Sequence, residues 1–189
     1  MLVSQGVLER LATTVQPQSP VVVAPIPSPV VPREGHLLVA WGISDPGNAG
    51  TLIRIAAAFG LGFVSGPDTA DPWAPKTLRS GAGAHFHTSI GRVSTPEDLR
   101  ALQRPLLAAV AAGGVSPARV RSTGDVALLV GSESEGLPGW LVAAADELVT
   151  IPMPGGTESL NAAVAGAILA YEVTGARFPG QDGAPPTRD

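Results

Sequence analysis

Arg54 lies in the stretch 44–54, SDPGNAGTLIR, off the apolar face of the helix that this stretch opens and near its N-terminus. A cation gains nothing from the helix dipole there, so its placement points to an anionic partner. Upstream, Asp45-Pro46-Gly47 reads as a turn and Asn48 as the helix N-cap. A second stretch, 131–138 (GSESEGLP), puts Glu133 directly after a buried apolar run. Glu133 can accept hydrogen bonds there from a ligand or from a neighbouring loop; a solvated acidic turn is the plainer alternative. The third stretch, 151–161 (IPMPGGTESLN), offers Glu158, Ser159 and Asn161. Its prolines and glycines fix a turn, and Thr157 or Ser159 can cap the helix that follows. Together the three stretches suit backbone and side-chain binding of a polar ligand at helix N-termini.

Other chemistries lack their signatures. There is no GxxxxGK[ST], and neither FGLGF nor SGAGAHF matches GxGxxG. GSESE is not a nucleophile elbow, because Glu135 occupies the final glycine position. His36, His85 and His87 lack metal-ligand spacing, and no metal is expected; His85 and His87 read as alternate positions of a strand. With no cysteine, disulfides, thiolate metal sites and cysteine nucleophiles are excluded, which fits a cytoplasmic protein. A net charge of −4 argues mildly against nucleic acid, whose binders are often basic, but leaves room for a local patch. No apolar run is long enough to cross a bilayer, and MLVSQGVLER does not have the pattern of a signal peptide.

The elements that must position these stretches follow from periodicity. Strands are expected at 37–41, 62–65, 87–90, 106–111, 126–130 and 147–151. Helices are expected at 7–11, 49–59, 76–82, 95–103 and 138–144, with a long Ala-rich one after 159. Leu52, Ile55, Ala56 and Phe59 form the apolar face of the second helix, and Leu160, Val164, Ile168 and Tyr171 recur at helical spacing in the last. Strands alternating with helices indicate an α/β fold, a mostly parallel sheet with helices on both faces. Ligands bind such sheets at the strands' carboxyl ends, where loops 42–48, 131–137 and 152–159 emerge. The 189 residues divide into a short segment, 1–35, ending in the Pro-rich linker 25–35; a main domain, 36–174; and a Gly/Pro/charge tail, 175–189, expected to be mobile.

Taken in order, SDPGNAGTLIRIAAAFG, LLVGSESEGLP and IPMPGGTESLNAAVAGAILAYE resemble the three motifs of the SpoU-type RNA 2′-O-ribose methyltransferases, which belong to the knotted SPOUT superfamily. PWAPKTLRSGAGAHF resembles the family's stretch between motifs one and two. The resemblance covers about residues 36–174, and three ordered motifs make it specific. It implies a C-terminal deep trefoil knot, S-adenosylmethionine as methyl donor, and a homodimer in which Arg54 reaches toward the partner's donor site. It implies catalytic roles for Arg54, Asn48, Glu133, Ser159 and Asn161. The donor site would be formed by Gly131, Ser132, Glu133, Gly136, Ile151, Met153, Ser159 and Leu160. Arg33, Arg54, Lys76, Arg79, Arg119 and Arg121 would contact RNA, ribosomal RNA being preferred over transfer RNA.

Many members of that family carry a small RNA-binding domain before the catalytic part. VLERLATTVQPQSPVVVA resembles only the end of one: either the chain is a fragment or its start is placed late, and it is expected to bind donor and dimerise but to grip RNA poorly. The competing reading is a donor-binding or RNA-binding module of the same fold that does not turn over. Retention of Asn48, Arg54, Glu133, Ser159 and Asn161 speaks against it.

Overall fold

Short strands that are apolar at successive positions need cover on both faces. The computed structural model describes residues 4–11, 22–120, 124–157 and 159–175. Within it β1 (Leu37–Ala40), β2 (Gly62–Ser65), β3 (Ile90–Arg92), β4 (Leu106–Ala109), β5 (Ala127–Val130) and β6 (Glu147–Val149) form one sheet. Their order is β3-β2-β1-β5-β4-β6, and every adjoining pair is parallel. Alternate strand residues serve opposite layers. Leu38, Ala40, Phe63, Leu128 and Val130 join one core with α2 (Pro46–Phe59) and α6 (Ala162–Thr174). Leu37, Val39, Val64, Ala127 and Leu129 join the other with α4 (Pro96–Ala101) and α5 (Gly139–Ala144). The expected α/β sheet covered on both faces is therefore present. Two further short helices, α1 (Gln5–Leu11) and α3 (Pro75–Gly81), complete the set.

Two glycines let the α2 layer close. A Cβ on Gly50 would stand 2.5 Å from the Thr77 carbonyl oxygen, so α2 and α3 cross backbone to backbone. A Cβ on Gly166 would stand 2.5 Å from Leu52 Cδ2, so α6 meets a side-chain tip of α2.

Several local expectations need correction. The α2 N-cap is Asp45, whose carboxylate accepts the Asn48 backbone N–H, not Asn48 itself. Pro46 at the first helical position makes this possible, since its fixed φ suits the turn and it has no N–H to satisfy. Ile53 is fully buried, whereas Ile55 and Phe59 are only partly so. Arg54 consequently lies in mid-helix and not near the N-terminus. The strand expected at 87–90 begins only at Ile90; a 3-10 turn, Ala84–Phe86, precedes it, entered through Ala82 and Gly83 at positive φ. His85 is buried in that turn with Nε2 2.8 Å from the Pro72 carbonyl oxygen. The strands expected at 106–111 and 147–151 end at Ala109 and Val149.

The last helix differs most. Its N-cap is Asn161, not Thr157 or Ser159. Its buried face is Ala162, Ala163, Gly166, Leu169, Ala170 and Val173, while Val164, Ile168 and Tyr171 are exposed. The large residues that recur at helical spacing thus lie outward, and the small Ala and Gly side chains between them form the packed side.

Part of the linker is laid on the domain. The Val30 N–H donates to the Ile90 carbonyl, and Val31 packs against the α4-side core. Arg121, Glu158 and the tail from 176 onward lie outside the described residues.

Candidate active site

The loops that leave β1, β5 and β6 meet at one carboxylate oxygen. Glu133 Oε1 accepts from Asn48 Nδ2 at 2.6 Å, from Asn161 Nδ2 at 3.0 Å and from the Ala162 backbone N–H at 3.1 Å. Asn161 Nδ2 also donates to Asn48 Oδ1 at 3.0 Å. The Asn161 side-chain oxygen in turn accepts the Ala163 and Val164 N–H groups, capping α6. Glu133 thus stands where the first turns of two helices converge, a favoured place for negative charge. Because Asp45 takes over the capping of α2, the Asn48 side chain is free to cross to Glu133. The Asn48 N–H holds the Asp45 carboxyl below its ordinary 3.8, and Lys76, 3.6 Å away, adds to this.

Beside this knot of hydrogen bonds lies a cleft of about 490 Å³. Gly131, Ser132, Glu133, Gly136, Ile151, Met153, Ser159 and Leu160 all line it. Its turn is tight: a Cβ on Gly131 would stand 2.3 Å from the Gly136 carbonyl carbon, and Gly136 itself adopts φ +69°. A side chain at 131 would force these backbones apart. Ala109, Val110 and Ala111 at the end of β4 also line the cleft and were missed in the sequence. Their signal was available: β4 is a parallel strand, and its carboxyl end belongs to the same edge as the other three.

Asn48 and Asn161 do not line the cleft; they hold its rim. Arg54 is exposed and outside it, and its guanidinium makes no hydrogen bond or ion pair among the described residues. Lys76 and Arg79 are exposed on α3, which packs on α2; Arg119 is exposed after β4, and Arg33 lies on the linker. The structure therefore gathers the cofactor candidates but leaves the cationic ones dispersed.

Residues 35–171 match the SpoU rRNA Methylase family. The chain belongs to that family. It is 34% identical over 178 residues to the 23S rRNA (guanosine(2553)-2′-O)-methyltransferase RlmP of Bacillus subtilis, covering 92% of this chain and 72% of that protein. It is 33% identical to a 23S rRNA (uridine(2479)-2′-O)-methyltransferase of Streptomyces viridochromogenes, covering 76% of this chain and 53% of the relative. The fold matches a putative RNA methyltransferase of the TrmH family from Porphyromonas gingivalis with TM-score 0.75 and 31% identity, over 88% of this chain and 70% of that one. It also matches the SpoU methyltransferase AviRb of Streptomyces viridochromogenes in complex with AdoMet, with TM-score 0.68 and 30% identity, over 77% and 58% of the two chains. This SpoU chain is an RNA 2′-O-methyltransferase with S-adenosylmethionine as donor. The cleft suits that donor: exposed loop backbone for the polar adenine edge, and the apolar side chains of Ile151, Met153 and Leu160 to flank the ring.

Proposed function

We propose that this SpoU domain methylates a ribose 2′-hydroxyl of ribosomal RNA in the cytoplasm, and that it does so as a homodimer. The convergence of three loops on Glu133 carries the reading. It fixes the backbone that would hold the donor without placing a rigid side chain across the cleft. Ribosomal RNA is favoured because RlmP and the Streptomyces enzyme are named for it.

When bound, S-adenosylmethionine supplies a methyl group on a positively charged sulfur, activated for in-line displacement. The chain's work is then placement. Loops 131–137 and 151–160 hold the donor, and alignment with the acceptor oxygen supplies most of the acceleration. A guanidinium offers donors and no acceptor, so Arg54 is not a general base. Its part is to stabilise negative charge developing on the 2′-oxygen or to clamp the neighbouring phosphate. Lys76 and Arg79 would extend that phosphate contact. Ser159, on the cleft wall, is positioned to contact donor or hydroxyl. Asn48, Glu133 and Asn161 act as positioning residues.

Arg54 lies outside its own cleft, which supports service to a partner's. The apolar surface that would make the dimer is the unburied face of α6. Val164, Ile168 and Tyr171 are 48%, 37% and 53% exposed, and Tyr171 stacks edge-on against Phe59 of α2 at 6.2 Å. Such a stripe on a helix otherwise packed into the core suits an interface. A threaded C-terminus is supported by the strand order. β6 lies outside β4 at the sheet edge, yet α6 returns to pack on β5, α2 and the 3-10 turn Pro117–Arg119. The return path would pass through the loop between β4 and β5, closing a trefoil knot.

Incubation with tritiated donor and undermethylated ribosomal RNA tests the reading. Alkali-resistant, ribose-linked label is expected. Label on a base, or saturable donor binding with no transfer to any RNA, would refute it.

A further inference from the structure

On the α4 side of the sheet, away from the cleft, a second concavity of about 500 Å³ opens between the linker and α4. Three arginines line it: Arg33 of the linker, Arg92 at the end of β3, and Arg104 in the turn before β4. Arg104 is only 9% exposed. Its Nη2 donates to the Pro32 carbonyl at 2.8 Å and its Nη1 to that of Leu102 at 3.2 Å. Its Nε is buried with no acceptor, and no carboxylate pairs with it among the described residues. A buried, uncompensated cation is costly, and an anion in the concavity would offset the cost.

The one carboxylate in the lining does not do so. Asp98 Oδ2 is taken by the Ser94 and Thr95 N–H groups at 2.7 and 2.9 Å, as part of the capping box of α4. Arg33 and Arg92 are exposed, and neither guanidinium has a hydrogen-bonded or ionic partner among the described residues. Gln103, next to Arg104, adopts φ +53°, a conformation unfavourable for a residue with a Cβ. It turns the chain so that Arg104 enters beneath the linker.

We propose that this concavity is a phosphate-binding site that takes a phosphodiester of the substrate RNA, remote from the ribose being methylated. Planar forks with unused N–H donors suit phosphate oxygens. The site would also give the linker a function: RNA seated there would bind the linker to the catalytic domain through Arg33 and the Pro32–Arg104 contact. The proposal rests on the RNA-substrate reading but not on the identity of the RNA.

The test compares wild-type protein with the exposed-residue double variant Arg33→Ala/Arg92→Ala, and with Arg177→Ala/Arg188→Ala in the C-terminal tail as charge-matched control. Fluorescence anisotropy with a labelled ribosomal RNA hairpin is measured across a salt series, and donor binding separately by calorimetry. Loss of two phosphate contacts should lower the slope of log affinity against log salt by about 1.5. Affinity at low salt should fall about tenfold, with the control unchanged and donor binding retained. An unchanged slope in Arg33→Ala/Arg92→Ala overturns the proposal, as does absence of RNA affinity in the wild type. Inorganic pyrophosphate separates the two sources of phosphate. If it binds in an Arg33/Arg92-dependent way while the RNA slope does not move, the site takes a free anion and the RNA assignment falls. Donor binding and methyl transfer in the wild type report on the enzymatic reading independently of either result.

Discussion

Asn161 Nδ2 donates to Asn48 Oδ1 across 3.0 Å, although the two residues stand 113 positions apart. The bond ties the cap of α6 to the first turn of α2, and both amides then share Glu133 Oε1. Two helix starts and one loop are thus fixed by three side chains. Asn161→Ala removes the α6 cap as well as the bridge, and should cost about 1–2 kcal/mol in chemical denaturation. Asn161→Asp keeps a capping oxygen but sets a second carboxylate against Glu133. It should therefore weaken donor binding in calorimetry despite the retained cap. Equal donor affinity in wild type and Asn161→Asp would mean the bridge does not shape the cleft.

The two helix crossings on the α2 side should differ in tolerance. Gly50→Ala drives a Cβ into the Thr77 carbonyl oxygen, and backbone must move. A loss of about 1–3 kcal/mol is expected. Gly166→Ala meets only the tip of Leu52, which can change rotamer, and the helix gains up to about 1 kcal/mol in propensity. Its net stability should stay near wild type. Thermal or urea unfolding of the two variants checks the order.

Exposed Ile168 and Tyr171 lend themselves to a direct test of assembly. Ile168→Glu and Tyr171→Glu should leave the fold intact and shift sedimentation from dimer to monomer. Methyl transfer should fall with the dimer if Arg54 acts across the interface. A monomeric wild type with full activity would remove the basis for a role of Arg54 in a partner's cleft.

Asp45 and Asp98 should both contribute to acid sensitivity. Asp45 is held below its ordinary 3.8 chiefly by the Asn48 N–H, and Asp98 by the Ser94 and Thr95 N–H groups. A carboxyl whose pKa is lowered by folding stabilises the native state above its unfolded pKa. That stabilisation is lost as pH falls through the folded value. The stability gap between wild type and Asp45→Asn, or Asp98→Asn, should therefore be full near neutrality and shrink below about pH 3.8. Denaturation midpoints across that range measure it.

Much of the layout could be read from the chain because parallel strands between helices leave a strong apolar signal. β2 was placed to the residue, and the three loops were placed on the correct edge. Their meeting at Glu133 is tertiary: no local pattern tells that Asn48 reaches Glu133 rather than capping its own helix. The periodicity of the large residues in α6 does not say which side is buried, and Ala and Gly fill its core side. Large residues usually mark burial, but here close helix approach required small ones. Ala109, Val110 and Ala111 form one wall of the cleft with side chains that carry no chemistry of their own, so only the place of β4 in the parallel sheet points to them. Arg104 was unremarkable in sequence; only its burial beneath the linker distinguishes it.

The Arg54→Ala variant tests the central claim most directly, with methyl transfer from tritiated S-adenosylmethionine and donor affinity by calorimetry measured on the same preparation. A guanidinium that acts on the acceptor and lies outside the donor cleft predicts transfer reduced at least about a hundredfold, with donor affinity essentially unchanged. Lost donor binding with residual transfer, or undiminished transfer, would contradict it.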